Sequence, residues 1–397
     1  MSAPLASPEP SGDDLARLRA AGYATVVIAG HLVIDDIPYV TTTKAVRRGR
    51  LVSTLQLHND VVQPPDTHVV MFAGETPCDE HGTPLTKIIN ASGRQQLAER
   101  LFIDHTLSSK PNEGYPNYFA KMTAYIEMIS GPAAAIDPAA TPRTFSLHPS
   151  GDTDNEVFKY LDTASSRAGI RAVADRLALK KVVIIGLGGT GAHVLDLLAK
   201  THIREIHLYD ADYFGQHNAF RAPGPISPTE LELQLTKVEL YARRYGAMRD
   251  GIVAHPYHVD AGTVGELSDA DFVFICIDSG PSRRLIVEAL ETYDRSFIDV
   301  GMGLESFDGR IDGMLRITAS TPARREHVRD RHRIPFDDGA DDEYAHNIQI
   351  VDLNALNANL AVIRFKQIVG FYHDSADHHF SVFTVNDLNL INEDGPT

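Results

Sequence analysis

From Ile184 to Lys200 the chain reads I-I-G-L-G-G-T-G-A-H-V-L-D-L-L-A-K, placing Gly186, Gly188 and Gly191 in the spacing G-x-G-x-x-G. Glycines so spaced let the backbone approach a phosphate, and a helix starting there adds unpaired N–H donors and roughly half a positive charge. Asp210, at the end of the next apolar run, is placed to hold a ribose hydroxyl. To this point the pattern suits a NAD- or FAD-dependent oxidoreductase equally well, and close helix–strand packing alone also calls for small residues. The residues beyond Asp210 separate the readings. Asp212, Asn218, Arg221, Lys237 and Asp278 come after it in chain order. A nicotinamide or flavin has little use for an Asn, an Arg, a Lys and a second Asp after successive strands, whereas a nucleoside triphosphate does. When a carboxylate attacks an α-phosphate, anion meets anion, so cations and a metal must be placed beforehand.

The elements that must carry these side chains alternate. K-K-V-V-I-I-G predicts a buried strand, A-H-V-L-D-L-L-A-K-T a helix, E-I-H-L-Y-D a strand, and P-T-E-L-E-L-Q-L-T-K-V-E-L-Y-A-R-R-Y-G one long helix. D-F-V-F-I-C-I-D then predicts a strand, P-S-R-R-L-I-V-E-A-L-E-T-Y a helix and R-S-F-I-D-V-G a strand. Strands alternating with helices imply an α/β, doubly wound, mostly parallel sheet over residues 157–397. Ahead of it, residues 13–145 mix alternating runs (Y-A-T-V-V-I-A-G-H-L-V-I-D, T-H-V-V-M-F-A-G) with helical patterns at Gly93–Phe102 and Tyr115–Ile129, which predicts a smaller α+β domain. Residues 1–12 read as a disordered tail and the Pro/Ser/Asp-rich residues 146–156 as a linker.

Bulk properties narrow the class. A chain of 397 residues is too long for one ordinary core, and 43% hydrophobic with 23% charged residues is the balance of a globular protein. A net charge of -16 gives no global attraction for nucleic acid or an anionic membrane. Cys78 and Cys276 are the only cysteines, which excludes a disulfide framework and a four-thiolate zinc site. With no signal-like N-terminus and no long apolar run, the expected location is cytoplasmic.

The site residues as a set resemble the ThiF/MoeB/ubiquitin-activating-enzyme superfamily of adenylating enzymes, over about residues 160–385. Its G-x-G-G-x-G falls on Gly186, Gly188, Gly189 and Gly191. Its D-x-D, with Asn eight and Arg eleven residues after the first Asp, falls on Asp210, Asp212, Asn218 and Arg221, and its later Lys and Asp on Lys237 and Asp278. The resemblance implies ATP as substrate, with Asp210 on the ribose, Asn218 orienting the phosphates, Arg221 and Lys237 on the triphosphate, and Asp278 holding Mg2+ near the attacking carboxylate. It implies AMP transfer to the C-terminal carboxylate of a ubiquitin-like protein or peptide, a homodimer, and an Arg acting across it, for which Arg167 and Arg171 are the candidates. A conjugating-enzyme-like protein is a further implied partner. The N-terminal domain resembles, more loosely, an uncharacterised domain fused to such modules in bacterial ubiquitin-like conjugation gene sets. Rival readings are a peptide-modifying adenylating enzyme of an antibiotic or sulfur-carrier pathway, the oxidoreductase above, and a catalytically silent scaffold that binds a ubiquitin-like protein. The bland alternatives are a solvated charge for Lys237, a surface ion pair for Arg221 and a helix cap for Asp278.

One feature departs from the superfamily. Many members carry a catalytic Cys after the strands that follow the late Asp, where this chain has I-T-A-S-T-P-A-R-R-E-H-V. Either the acyl-adenylate passes directly to an external nucleophile, or Ser320 or Thr321 takes the acyl group as an oxyester with His327 as base. Cys276 is expected in the core. Cys78 is an incidental loop residue or, alternatively, an acyl carrier. His373, Asp374, Asp377, His378 and His379 form either a metal site or a solvated turn, and the charged run from Ala323 to Tyr344 is expected to be an exposed, mobile crossover loop.

Overall fold

Residues 24–54 alternate β-branched and polar side chains, and they fold as a hairpin, β1 (Ala24–Ile28) and β2 (His31–Val40), continued by β3 (Val46–Thr54). The computed structural model describes residues 13–58, 61–99, 101–145, 157–160, 162, 164–165, 170–337 and 348–394; the expected tail and linker lie outside these. The chain divides into two units, Met1–Asp154 with Tyr160–Ile170, and Asn155–Lys159 with Arg171–Thr397.

The first unit begins with helix α1 (Asp13–Ala20) and continues past β3 with the short pair β4 (Leu57–His58) and β5 (Val61–Val62), then β6 (Val69–Ala73), β7 (Ile89–Ala98), β8 (Leu101–Ser108) and helix α2 (Tyr118–Ile136). Its six-stranded sheet has the order β1-β2-β3-β6-β8-β7 and is antiparallel throughout. Asn117 caps α2 by accepting from the Ala120 N–H at 2.8 Å, and Tyr118, Met122, Tyr125, Ile126 and Ile129 form its buried stripe. That stripe packs on Leu32, Ile34, Leu51, Val70 and Phe72 of the sheet. Each such side chain contributes about 1.5–3 kcal/mol on burial. The helix expected at Gly93–Phe102 is instead the β7–β8 hairpin. Helix-favouring residues in Q-Q-L-A-E-R lose there to the ladder that β8 makes with β6, and two-faced exposure hides the strand period.

The second unit contains helix α3 (Arg171–Ala174), β9 (Lys181–Ile185), α4 (Gly189–Leu198), β10 (Glu205–Tyr209), α5 (Gln216–Ala219), α6 (Pro228–Glu232), α7 (Lys237–Tyr245), β11 (Ile252–His255) and β12 (Phe272–Ile275). It continues with α8 (Gly280–Thr292), β13 (Ser296–Phe307), β14 (Arg310–Ser320), α9 (His327–Asp330), α10 (Val351–Ile368), β15 (Phe380–Thr384) and β16 (Asn389–Glu393). The sheet order is β11-β10-β9-β12-β13-β14-β15-β16. Pairs from β11 to β13 are parallel and those from β13 to β16 antiparallel, so the sheet is mixed with a parallel half. Side chains of α4, α7 and α10 cover one face and those of α8 the other, the doubly wound arrangement expected. Among the described residues no helix is long and apolar enough to cross a membrane.

The single helix expected from Pro228 to Gly246 is two. Gln234 takes a φ of 48°, and Thr236 starts α7 with a capping box in which its hydroxyl accepts from the Glu239 N–H while Glu239 reaches back. Lys237 therefore stands at a helix start.

Candidate nucleotide site

β10 and β12 flank β9 on opposite sides, so the chain after β9 emerges where strand order reverses, the usual crevice for a ligand in an open α/β sheet. The glycine loop occupies that crevice, and its glycines serve different needs. Gly186 has a φ of 88°, and a Cβ there would lie 2.5 Å from the Cys276 carbonyl oxygen. One on Gly191 would lie 1.9 Å from the Gly186 carbonyl oxygen, and one on Gly189 would lie 2.2 Å from the Asn354 amide. Around Gly188 there is nothing within 4 Å. Gly188 is also the N-cap of α4 and supplies no side-chain acceptor, so the first-turn N–H groups are not capped by it.

Asp210 is buried at the end of β10. Its Oδ2 accepts from the Leu187 N–H at 2.7 Å and its Oδ1 from the Asp212 N–H at 2.9 Å, which ties the glycine loop to the D-x-D turn. Lys237 Nζ donates to Asp212 Oδ2 at 2.6 Å and to Asp210 Oδ2 at 3.3 Å, and only 8% of its side chain is exposed. The hydrogen bond from Lys237 holds the Asp212 carboxyl below the usual carboxylate range. Backbone bonds from Lys237 N to Asp212 O (2.9 Å) and from Phe214 N to Leu235 O (2.9 Å) fix the start of α7 against this turn. The solvated-charge reading of Lys237 does not hold.

Asn218 is buried on α5, where its Oδ1 accepts from the Gly215 N–H at 2.9 Å and its carbonyl accepts from the Arg221 N–H at 3.1 Å. Arg221 Nε is buried without a hydrogen-bond partner among the described residues. Burial lowers the His193 imidazole on α4, which is hydrogen-bonded to the Arg221 backbone. Asp278 is exposed, between the end of β12 and α8, and α8 is capped by Ser279, whose hydroxyl accepts from the Ser282 N–H. The helix-cap reading of Asp278 therefore falls to its neighbour.

Several participants escaped the sequence reading. Asn354, fully buried on α10, accepts from the Thr190 hydroxyl at 3.0 Å and lies over the first turn of α4; Asn357, one turn on, donates to the Gly301 carbonyl at 3.1 Å. The available signal was two Asn on the stripe otherwise made of Ala358, Ala361 and Phe365. Tyr213 and Phe220, 70% and 77% exposed, flank the polar cluster in sequence.

Other candidates are placed elsewhere. Ser320 pairs with Phe297, which is level with Val273, so it sits at the opposite end of the strands from Asp278, about 15 Å away along the sheet. It is also fully buried. The Thr321 hydroxyl is 3.3 Å from His379 Nε2 at that same edge, while His327 Nε2 is 3.0 Å from the Ala319 carbonyl oxygen and its ring is buried. The strand direction thus corrects the oxyester expectation for Ser320 with His327 as its base. Cys276 follows β12, and burial, then the Asp299 charge, push its thiol up. Cys78 is not a loop residue open to solvent: it is fully buried with Val40, Ala133 and Ala140, and burial raises its thiol too. Around His373–His379 the solvated-turn reading holds for the exposed His373 and Asp377 but not for His379, which is buried, and Arg364 pairs with Asp374 and Asp377. No metal-binding group of three or more His, Cys, Asp or Glu occurs among the described residues. Arg167 and residues 338–347, which include the end of the expected crossover loop, lie outside the described residues; of Arg171 only its place at the start of α3 is described.

Residues 165–333 match the ThiF family, and residues 13–163 match a domain of unknown function designated DUF6791. The ubiquitin-like modifier-activating enzyme 5 of Aedes aegypti is 24% identical over 163 residues, covering 37% of this chain and 40% of that protein. The chain therefore matches less than half the length of this relative. Among solved structures, PaaA is 15% identical with a TM-score of 0.45, covering 56% of this chain and 75% of its own. E. coli MccB with selenomethionyl MccA is 17% identical with a TM-score of 0.47, covering 59% and 70%. E. coli MccB with ATP is 16% identical with a TM-score of 0.44, covering 58% and 69%.

Proposed function

Because residues 165–333 are a ThiF-family domain, we propose that this chain adenylates the C-terminal carboxylate of a ubiquitin-like protein or peptide, using ATP and Mg2+. The observation that carries the reading is the convergence, at the switch point of the sheet, of an open backbone approach at Gly188, a buried Asp210–Lys237 pair joined to the exposed Asp212 carboxylate, and Asp278 at the adjoining strand end. The ThiF match and the curated relative, a ubiquitin-like modifier-activating enzyme, support it.

In this reading the loop of Gly186, Gly188, Gly189 and Gly191 takes the phosphates through the open face at Gly188 and the start of α4, the other three glycines allowing the close packing that shapes it, and Asp210, rigidly held by two backbone N–H groups, takes the ribose. Lys237 is neutralised by two carboxylates and turns toward the triphosphate when nucleotide enters. Arg221, anchored through the Asn218 carbonyl, offers the second cation. An oxygen of the acyl donor's carboxylate forms a bond to the α-phosphorus, the bond to the α,β-bridging oxygen breaks, and pyrophosphate leaves with its charge offset by Lys237 and Arg221. Asp278 suits Mg2+ because it is an exposed carboxylate at the crevice edge, and that ion takes one or two carboxylates while phosphate oxygens and waters supply the rest. Held by Asp278, the ion would supply Lewis-acid polarisation of the phosphoryl oxygens.

With Ser320 at the far edge and both thiols held up by burial, the acyl-adenylate itself is the product that passes to an external nucleophile, in the cytoplasm and with a conjugating-enzyme-like partner as one acceptor. A homodimer belongs to the same proposal, supported by the exposed Tyr213 and Phe220 beside the site and Val351 and Ile363 on α10. The test is pyrophosphate exchange with a panel of ubiquitin-like C-terminal peptides. Wild type should exchange with one or more of them and Asp278→Ala should not, while keeping its circular dichroism and most of its ATP affinity. Normal exchange in Asp278→Ala sinks the assignment.

A further inference from the structure

One carboxylate in the second unit is fully buried and shared by two guanidinium groups. Asp299 on β13 pairs through Oδ2 with Arg283 Nε at 2.9 Å and through Oδ1 with Arg316 Nη2 at 2.5 Å. The Arg283 N–H is not aimed along its contact, so that contact is charge pairing rather than a hydrogen bond. The rest of Arg283 is committed to backbone: Nη2 donates to the Ile277 carbonyl and Nη1 to the Pro335 carbonyl at 3.1 Å. Arg316 Nη1 donates to the Arg333 carbonyl at 2.8 Å and to the Thr318 hydroxyl at 2.7 Å, and that hydroxyl donates to the same Arg333 carbonyl at 3.1 Å.

Three carbonyls on two chain segments thus hang on one buried charge cluster. The segments also touch directly. A Cβ on Gly280 would lie 2.8 Å from the backbone of Phe336 and of Asp337, and Arg284 donates to Asp337 at 2.7 Å. Gly301 leaves room for the Arg316 guanidinium, since a Cβ there would lie 2.7 Å from Nη2. Breaking a buried ion pair by removing one partner is strongly destabilising, so the cluster ties both segments in place. The residue inside the strand-to-helix turn is Asp278, next to the carbonyl that Arg283 holds.

We infer that Arg283, braced by Asp299, is a positioning residue that fixes the Ile277–Gly280 backbone so that the Asp278 carboxylate stands where a metal–nucleotide complex enters the crevice. The inference rests on the adenylation reading for what Asp278 binds, and on the geometry above for how it is held. Arg283 touches neither nucleotide nor metal. Its effect appears as lost metal affinity, and outer partners of a metal ligand typically change that by about 10–100-fold.

The experiment uses the full chain with α,β-methylene-ATP and Mn2+, whose free resonance signal disappears on binding. Arg283→Lys keeps the charge and the Asp299 pair but has no second nitrogen to reach Ile277. It should weaken Mn2+ binding to the nucleotide complex by about tenfold or more, leave metal-free analogue affinity and the thermal midpoint near wild type, and speed hydrogen exchange at the 277–280 amides. A folded Arg283→Lys with wild-type Mn2+ affinity overturns the inference whether or not those amides exchange faster. Should that variant fail to fold, Asp299→Asn, which keeps the shape, removes the bracing charge and lowers the thermal midpoint, carries the same expectation for Mn2+ affinity measured below that midpoint and the same refutation. Asp278→Ala serves as the reference: if it retains Mn2+ affinity, the metal assignment of the proposed function fails, together with the inference that depends on it. Loss of Mn2+ in Asp278→Ala with none in Arg283→Lys fails the inference alone.

Discussion

Gly188 and Gly191 have the same side chain and stand three residues apart, yet alanine at each should have opposite consequences. At Gly191 the added methyl would lie 1.9 Å from the Gly186 carbonyl oxygen and 3.0 Å from its carbon, both backbone atoms. Ordinary contact needs more than about 3.4 Å, so the start of α4 and the end of β9 must separate by over 1 Å, in a core packed as densely as a crystal. Overpacking costs about 1–3 kcal/mol where side chains can adjust. Here only backbone can move, so the expected loss is at or above about 3 kcal/mol. At Gly188 the methyl meets nothing within 4 Å and φ is -69°, outside the left-handed region that favours glycine. Alanine is a poorer N-cap than glycine by about 0.5–1 kcal/mol, and its stiffer unfolded chain returns a similar amount. Stability should therefore be unchanged within about 0.5 kcal/mol. The same methyl projects into the space proposed for phosphate and pushes it off the first-turn N–H groups. Losing one charge-assisted hydrogen bond of about 1.5–3 kcal/mol weakens ATP by about 10- to 100-fold. Urea unfolding without nucleotide and calorimetric ATP titration measure the two effects. A Gly188→Ala protein that binds ATP like wild type, or one as destabilised as Gly191→Ala, would refute the reasoning.

Lys121 is fully buried on α2 with Ser53 as its hydrogen-bond partner at 2.9 Å, and burial lowers its ammonium to about 8. The unfolded chain holds that proton to about 10.4, so between these values it binds more protons than the native state and stability rises with pH. The first unit should be more stable at pH 10 than at pH 8, and Lys121→Met should abolish that rise in pH-dependent urea melts; a rise that persists in the variant refutes the burial argument. Both thiols are raised by burial, so neither Cys78 nor Cys276 should react with a thiol reagent at pH 7.5 in the folded chain, and both should in urea. Native-state labelling of either would reopen a thioester route.

Which parts of the site were legible depends on where the information sits. The parallel half of the sheet was readable because each buried strand is a short run of Val, Ile and Phe closed by Gly or Asp, and because its helices carry one apolar stripe. Asp210, Lys237 and Asp278 were readable as types at spacings. Their pairing was not, since Lys237 reaches Asp212 only because Gln234 and Thr236 break the expected helix and restart it. The β7–β8 hairpin was misread because its residues favour helix and only the partner strand β6 decides otherwise.

The oxyester expectation shows the limit more sharply. In sequence, Ser320 and Thr321 come after Asp278 at a distance compatible with a nucleophile in the same crevice. Direction decides against Ser320. β13 runs toward the crevice edge in parallel with β12 and β14 returns antiparallel, so the residues that end β14 are delivered to the opposite edge however reactive their types. The chain then needs Thr321 to Asp337 to climb back, and it arrives beside Gly280 with its backbone held by Arg283 and Arg316. What the sequence presents as a charged loop is, for residues 324–337, a return path bound by ion pairs to Glu291, Asp294, Glu393 and Asp394. The clamp at its end holds Pro335 to Asp337 against Gly280, two residues from Asp278, so any acyl donor that reaches this crevice meets a fixed wall there rather than a free loop.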